Sequence, residues 1–291
     1  MRILSWFLRF LSWFPLPVVH AIAWPFGQLL RLSRRHREVS RKNLSLCYPH
    51  LTERERERLV VRSLNEFAKS VLEAGPGWYW PVDTVLAKMK EIHGREYLEQ
   101  ALAAGNGVIL AAPHFGAWEW GSILLSTLTP DDILYLYKPS SNPAVDEFIN
   151  SKRQRSGAVT VPANTRGLRS LLRALRENKT VAILPDQQPK KGDGVFAPFF
   201  GVEALTQTLI PSLAQRAGCA VVFACIQRLP AGKGFELHFL PAPGEIYSTS
   251  QDEALAALNK GVENCIAIDP GQYLWAYKRF GLRPGDEPRF Y

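Results

Sequence analysis

Residues 107–119 read GVILAAPHFGAWE. The first six, Gly107–Ala112, are a continuous apolar run, as expected of a strand buried on both faces. The run stops at Pro113, and His114, Gly116, Trp118 and Glu119 follow at once. In open α/β sheets, sites gather where strands end. The same grammar returns downstream. Thr180–Leu184 (TVAIL) is a second buried run, and it ends in Pro185-Asp186-Gln187-Gln188-Pro189-Lys190-Lys191. Ile133–Tyr137, Ala220–Ile226 and Phe235–Phe239 also read as strands. Helical patterns fall at 116–128, Thr165–Asn178, Leu205–Ala217 and Asp252–Ile268. Strands alternating with helices predict an α/β fold: a mixed, mainly parallel central sheet flanked by helices.

Before this part, residues 52–74 predict an amphipathic helix. Thr52 is the N-cap, with Glu55 three residues on. Leu59, Val60, Leu64, Phe67, Ala68 and Val71 recur at helical spacing, and Gly75-Pro76-Gly77 stops the pattern. The ERERER run is its solvated face.

Phe10–Leu30 contains no Asp, Glu, Lys or Arg. At 21 residues it is just long enough to span a bilayer. Pro15, Pro17 and Pro25 interrupt it, and His20 and Gln28 are polar. A buried hairpin and a membrane anchor, spanning or interfacial, both fit. Trp6, Trp13 and Trp24 suit the membrane–water boundary and favour the anchor. Residues 1–42 hold eight basic residues against one acid, Glu38, and so carry seven of the chain's eight net positive charges. Charge concentrated beside an apolar segment fits an anionic membrane, not a nucleic-acid footprint. The expected organisation is a membrane anchor with its basic flank at 1–42 and a single α/β domain at 43–291. The positive-inside rule puts that domain in the cytoplasm.

Cys47, Cys219, Cys225 and Cys265 form no CxxC pair, and no His cluster has zinc-like spacing. No GxSxG, GxxxxGK[ST], HExxH or post-strand GxGxxG occurs. Neither a metal nor a cofactor is expected.

His114 and Glu119 are five apart, about 140° around a single helix, so they meet only if His114 lies in the turn before the helix. A helix N-terminus there favours neutral imidazole, and Glu119 could hold its second nitrogen. A capping histidine and an unrelated surface glutamate satisfy the spacing equally. Asp186, Lys190 and Lys191 suit a cation, a hydroxyl or phosphate, or simply a solvated turn. Arg153 and Arg155 lie in the basic run Lys152–Arg155; Arg153 paired with Asp186 could steady an oxyanion.

Taken together, His114-FGAW-Glu119, YKPSSNPAVDEFINSKRQRSG (137–157), PDQQP (185–189), APFFGVEALTQT (197–208) and YLWAYKRF (273–280) resemble the late acyltransferases of lipid A biosynthesis. These are the lauroyl and myristoyl transferases within the lysophospholipid and glycerol-phosphate acyltransferase superfamily. The resemblance implies an acyl-carrier-protein thioester as donor, a hydroxyl of a lipid A precursor as acceptor, and the bacterial inner membrane as location. It implies His114 as general base, Glu119 as its partner, Arg153 as the family's arginine with Arg155 as the other register, and Asp186 as the aspartate after the third strand. Trp118, Phe199 and Phe200 are candidates for the acyl slot. Gln187 and Gln188 depart from the Arg or His often found there. Acylation of a lysophospholipid or glycerol phosphate is the alternative reading.

Overall fold

The computed structural model describes residues 2–285 and 287–291. Met1, the first residue of the expected anchor, lies outside them. Helices α1 (Arg2–Leu11), α2 (Leu16–Leu32), α3 (Arg34–Cys47) and α4 (Glu53–Leu72) open the chain. Thr52 caps α4 through a capping box with Glu55, as the spacing predicts. Short helices α5 (Ala74–Tyr79) and α6 (Val82–Leu86) lead to strand β1 (Met89–His93), helix α7 (Arg95–Ala103) and β2 (Val108–Ala111). There follow α8 (Gly121–Leu124), β3 (Leu134–Tyr137), α9 (Pro143–Arg153), β4 (Val159–Pro162), α10 (Thr165–Arg176) and β5 (Thr180–Ile183). The hairpin β6 (Gly194–Phe199) and β7 (Val202–Gln207) precedes α11 (Leu209–Ala217), β8 (Ala220–Arg228), β9 (Phe235–Pro241) and α12 (Gln251–Ile268).

Among the described residues the main sheet has seven strands in the order β1-β9-β8-β2-β5-β3-β4. Every neighbouring pair is parallel except β8 and β9. The α/β fold and its mainly parallel sheet are therefore as the alternation predicts. β2 and β5, the two apolar runs, lie side by side at the centre and are buried at every position. Apolar clusters cover both sheet faces. One includes Ile109, Val181 and Phe223; the other includes Leu110, Ala182 and Trp120.

Several expected elements differ. Leu205–Gln207 is not helical: Val202–Gln207 pairs antiparallel with Gly194–Phe199, and the helix begins only at Leu209. The helix expected over 116–128 shrinks to a 3₁₀ turn at Trp118–Trp120 and the single turn α8. Gly75-Pro76-Gly77 does not end helical structure but sits inside α5. Edge strands β1 and β4 escape the pattern because neither is a continuous apolar run.

No helix among the described residues is long and apolar enough to cross a membrane. This corrects the spanning form of the expected anchor. Pro15 starts a new helix, so the 21-residue stretch is divided between α1 and α2. The polar residues of α2 explain the rest. His20 Nε2 lies 3.1 Å from Glu73 Oε2, and Gln28 donates to Asn65. Gly27 lets the helices close up, since a Cβ there would lie 2.0 Å from the Asn65 side chain. One face of α2 therefore packs on α4. Leu8, Leu11, Val19 and Ala23 join Ala68, Leu72 and Trp78 in a third apolar cluster. The opposite face is uncovered: Trp24 is 62% exposed and Leu32 82%, and Trp13, in the turn before α2, is 71% exposed. Helix α3 continues across residue 42 and packs on α4 as well.

Candidate active site

Strands β2 and β5 are parallel with Val108 opposite Thr180 and Ala111 opposite Ile183. Three residues beyond each strand stand His114 and Asp186. Equal offset from one register places them together. Asp186 Oδ1 lies 2.9 Å from His114 Nδ1, and the His114 backbone N–H donates to Asp186 Oδ2 at 3.0 Å. A carboxylate on Nδ1 fixes the proton there and leaves Nε2 as the basic nitrogen. Nε2 faces Gln187 Nε2 at 3.0 Å, so the Gln187 amide donates to it. Burial opposes ionisation of Asp186, but His114's charge, ring and backbone N–H outweigh it and hold the carboxyl below the ordinary 3.8.

Glu119 is not the partner of His114. It takes a bidentate pair from Arg153, Nε to Oε1 and Nη2 to Oε2, both at 2.8 Å. Arg153 accordingly pairs with Glu119 and not with Asp186. The cause is local. Gly116 has φ +55, and its backbone N–H and that of Ala117 bond the carbonyls of Gln272 and Ile226. That turn carries Glu119 away from the His114 ring to the wall formed by the end of α9. A Cβ at residue 116 would stand 2.0 Å from the Ile226 oxygen, so only glycine fits. The short α8 also removes the long helix whose dipole was expected to act on His114.

His114, Glu119, Arg153, Trp118 and Lys190 all line one cavity of about 820 Å³. That is within the range of ligand cavities. Its apolar wall includes Phe115, Leu125, Leu136, Ile183 and Ile226, and Lys138 and Gln187 stand on its polar side. The Trp118 ring lies 4.8 Å from the His114 ring. Arg153 Nη1 has no protein acceptor among the described residues. The other expected residues stand elsewhere. Arg155 donates to the carbonyls of Gly77 and Trp80 and ties α5 down. Lys191 is an exposed neighbour of Lys190. Phe199 is fully buried against Tyr273, Phe280 and the Arg279 guanidinium. Phe200, at the β6–β7 turn, packs on Tyr48 and Trp275. Hairpin packing, not the cavity, uses both rings.

Beneath the site lies a charged network that the residue pattern alone does not single out. Arg228 is buried and donates to Glu66 at 2.6 Å, to both carboxylate oxygens of Glu73, to Ser70 and to the Gly116 carbonyl at 3.0 Å. Ser70 also donates to Gly116 O at 2.8 Å. Leu274 N donates to His114 O. The 273–280 segment therefore clamps the turn, and Arg279 anchors it through Leu205 O, Thr206 and Asn259. All four cysteines are free and buried.

Residues 3–281 match the family described as "Bacterial lipid A biosynthesis acyltransferase". The chain is similar to the lipid A biosynthesis lauroyltransferase of Escherichia coli (strain K12), at 32% identity over 279 residues, covering 95% of this chain and 90% of the relative. It is similar to the lipid A biosynthesis palmitoleoyltransferase of the same strain at 30% identity over 294 residues, covering 99% and 94%.

Proposed function

The chain belongs to the bacterial lipid A biosynthesis acyltransferase family, and from that premise we propose that it transfers a fatty acyl chain from an acyl-carrier-protein thioester to a hydroxyl of a lipid A precursor. The observation that carries this reading is a histidine whose Nδ1 is held by a buried aspartate and whose Nε2 opens on a cavity with one apolar wall. Nε2 accepts the hydroxyl proton as the oxygen attacks the thioester carbonyl. Asp186 stabilises the imidazolium that forms. Collapse of the tetrahedral intermediate breaks the carbon–sulfur bond, and the imidazolium returns its proton to the departing thiolate. The donor is already activated, so no covalent enzyme intermediate is needed. Orientation and charge stabilisation are the remaining demands.

Arg153 meets the second demand. Glu119 occupies Nε and Nη2 and fixes the fork, so Nη1 is the donor aimed at an anionic substrate oxygen. Glu119 is thus a positioning residue acting through Arg153. Glu119→Gln is expected to lower kcat about 10-fold to 10²-fold, the scale of a roughly 1 Å misplacement, with Arg153→Lys losing at least as much. An effect on KM alone would point instead to ground-state binding. Assays with purified protein, an acyl-carrier-protein thioester and either lipid A precursor or a lysophospholipid test the acceptor. Preference for the lysophospholipid would favour the alternative chemistry.

The same reading places α1 and α2 in the membrane interface rather than across it, on the inner membrane's cytoplasmic leaflet. Exposed Trp6, Trp13, Trp24 and Leu32 supply an apolar face, and Arg31 to Lys42 supply positive charge. Phe148 and Ile149 of α9 rest against the α1–α2 cluster, which links this hairpin to the helix ending in Arg153. Sedimentation with vesicles containing anionic lipid is expected to capture the chain and to weaken as salt rises. Trp13→Ser combined with Trp24→Ser should release it; unchanged capture would rule out this face.

A further inference from the structure

Edge strand β1 and its neighbour β9 are separated from the strands that carry His114 and Asp186 by β8. Burial alternates along β9. Phe235, Leu237 and Phe239 turn to the core, while Glu236 and His238 lie half-buried on the opposite face. The β1–β9 register sets His93 beside His238 and Glu91 beside Glu236. Gln227 of β8 stands opposite Glu236. A half-exposed sheet face normally carries branched or aromatic cross-strand pairs. Here two imidazoles stack, with centroids 4.5 Å and planes 18° apart.

Their nitrogens converge. His93 Nε2 lies 3.1 Å and His238 Nε2 4.0 Å from the same oxygen, Glu236 Oε2. Gln227 Oε1 lies 2.9 Å from His238 Nε2. One donor atom from each of His93, Glu236 and His238 falls within 4.8 Å of the other two. A cation at that point would replace the Nε2 protons and leave each ring protonated at Nδ1. Glu91 Oε1 stands 3.6 Å from His93 Nδ1, just beyond hydrogen-bond distance and on the side from which an outer carboxylate would orient a metal-bound histidine. Three adjacent paired strands, β1, β9 and β8, supply these groups and hold them on one face of the sheet.

We propose that His93, Glu236 and His238 form a divalent transition-metal site that pins edge strand β1 to β9, with Gln227 Oε1 as a fourth ligand and Glu91 as the outer partner of His93. Two imidazoles with a carboxylate and an amide oxygen suit zinc, nickel, copper or cobalt; magnesium and calcium prefer all-oxygen sets. The sequence shows no such site because its ligands come from residues 93, 236 and 238, a spacing set by strand pairing and not by a local motif. The site is independent of acyl transfer.

Full-length protein without an affinity tag, stripped with chelator, would be titrated calorimetrically with zinc chloride, and its Tm measured with and without the metal. One equivalent should bind and Tm should rise. His93→Gln and His238→Gln should each lose at least about 100-fold in affinity, and Glu91→Gln about 10-fold. Glu91 is well exposed, so that variant tests the site without disturbing the sheet. Replacing the exposed His50 should change nothing. No uptake by the unaltered chain, or equal affinity in His93→Gln and His238→Gln that fold normally by circular dichroism, would overturn the proposal.

Discussion

His114→Ala is expected to cut acyl transfer by about 10²- to 10⁴-fold, the usual contribution of a positioned general base. The expectation follows from where the side chain stands. Its Nδ1 is committed to Asp186, and Nε2 is the basic atom on the cavity. Alanine removes the base but keeps the backbone N–H that donates to Asp186 Oδ2, and Leu274 N still has the residue-114 carbonyl. The turn should therefore persist, with circular dichroism and Tm near those of the parent. Asp186→Asn should also be severe. An amide cannot stabilise the imidazolium as a carboxylate does, and it invites the wrong tautomer. Full turnover in His114→Ala would remove the histidine from the chemistry altogether.

Arg228→Met is expected to destabilise the fold by roughly 3–5 kcal/mol, because it leaves the buried Glu73 carboxylate without its cation and Glu66 with Lys69 alone. Glu73 is fully buried, and Glu66 is nearly so. Burial opposes ionisation of both; Arg228, joined by Lys69 at Glu66 and by His20 at Glu73, outweighs it and holds each below the ordinary 4.5. Without the guanidinium, Glu73 keeps only the His20 contact. The Gly116 carbonyl also loses one of its two side-chain donors, so the turn after His114 should loosen and activity should fall even at temperatures where the variant stays folded. Urea unfolding measures the first effect and kcat the second. A methionine variant as stable as the parent would mean that the network sets conformation without adding net stability.

The central strands and their polar ends were legible because β2 and β5 are buried on both faces and so appear as uninterrupted apolar runs. Residue 114 stands out for the same reason, since it follows the end of such a run, although the spacing alone also allows a capping histidine. The local motif points to Glu119, whereas the partner of His114 is set by strand register and is Asp186. PH at 113–114 and PD at 185–186 stand at equal distances from two matching strands, and parallel adjacency makes them neighbours. That equality was present in the sequence; the adjacency was not. Phe199 and Phe200 look like a greasy slot in one dimension, yet the β6–β7 hairpin turns them into packing. The Arg228 network had a faint signal. Glu66, Ser70 and Glu73 fall at i, i+4 and i+7 and so share one face of α4. Nothing local says that Arg228, more than 150 residues away, completes it. The apolar stretch at 10–30 fits a buried hairpin, a span or an interfacial anchor alike, because composition records hydrophobicity but not which face meets α4.

Mass spectrometry of lipid A from cells lacking this protein, complemented with either the parent chain or His114→Ala, tests acyl transfer by the histidine most directly. The account predicts lipid A lighter by one acyl chain without the protein, restored by the parent and not by His114→Ala. Lipid A of unchanged mass in the deletion, or restoration by the alanine variant, would contradict it.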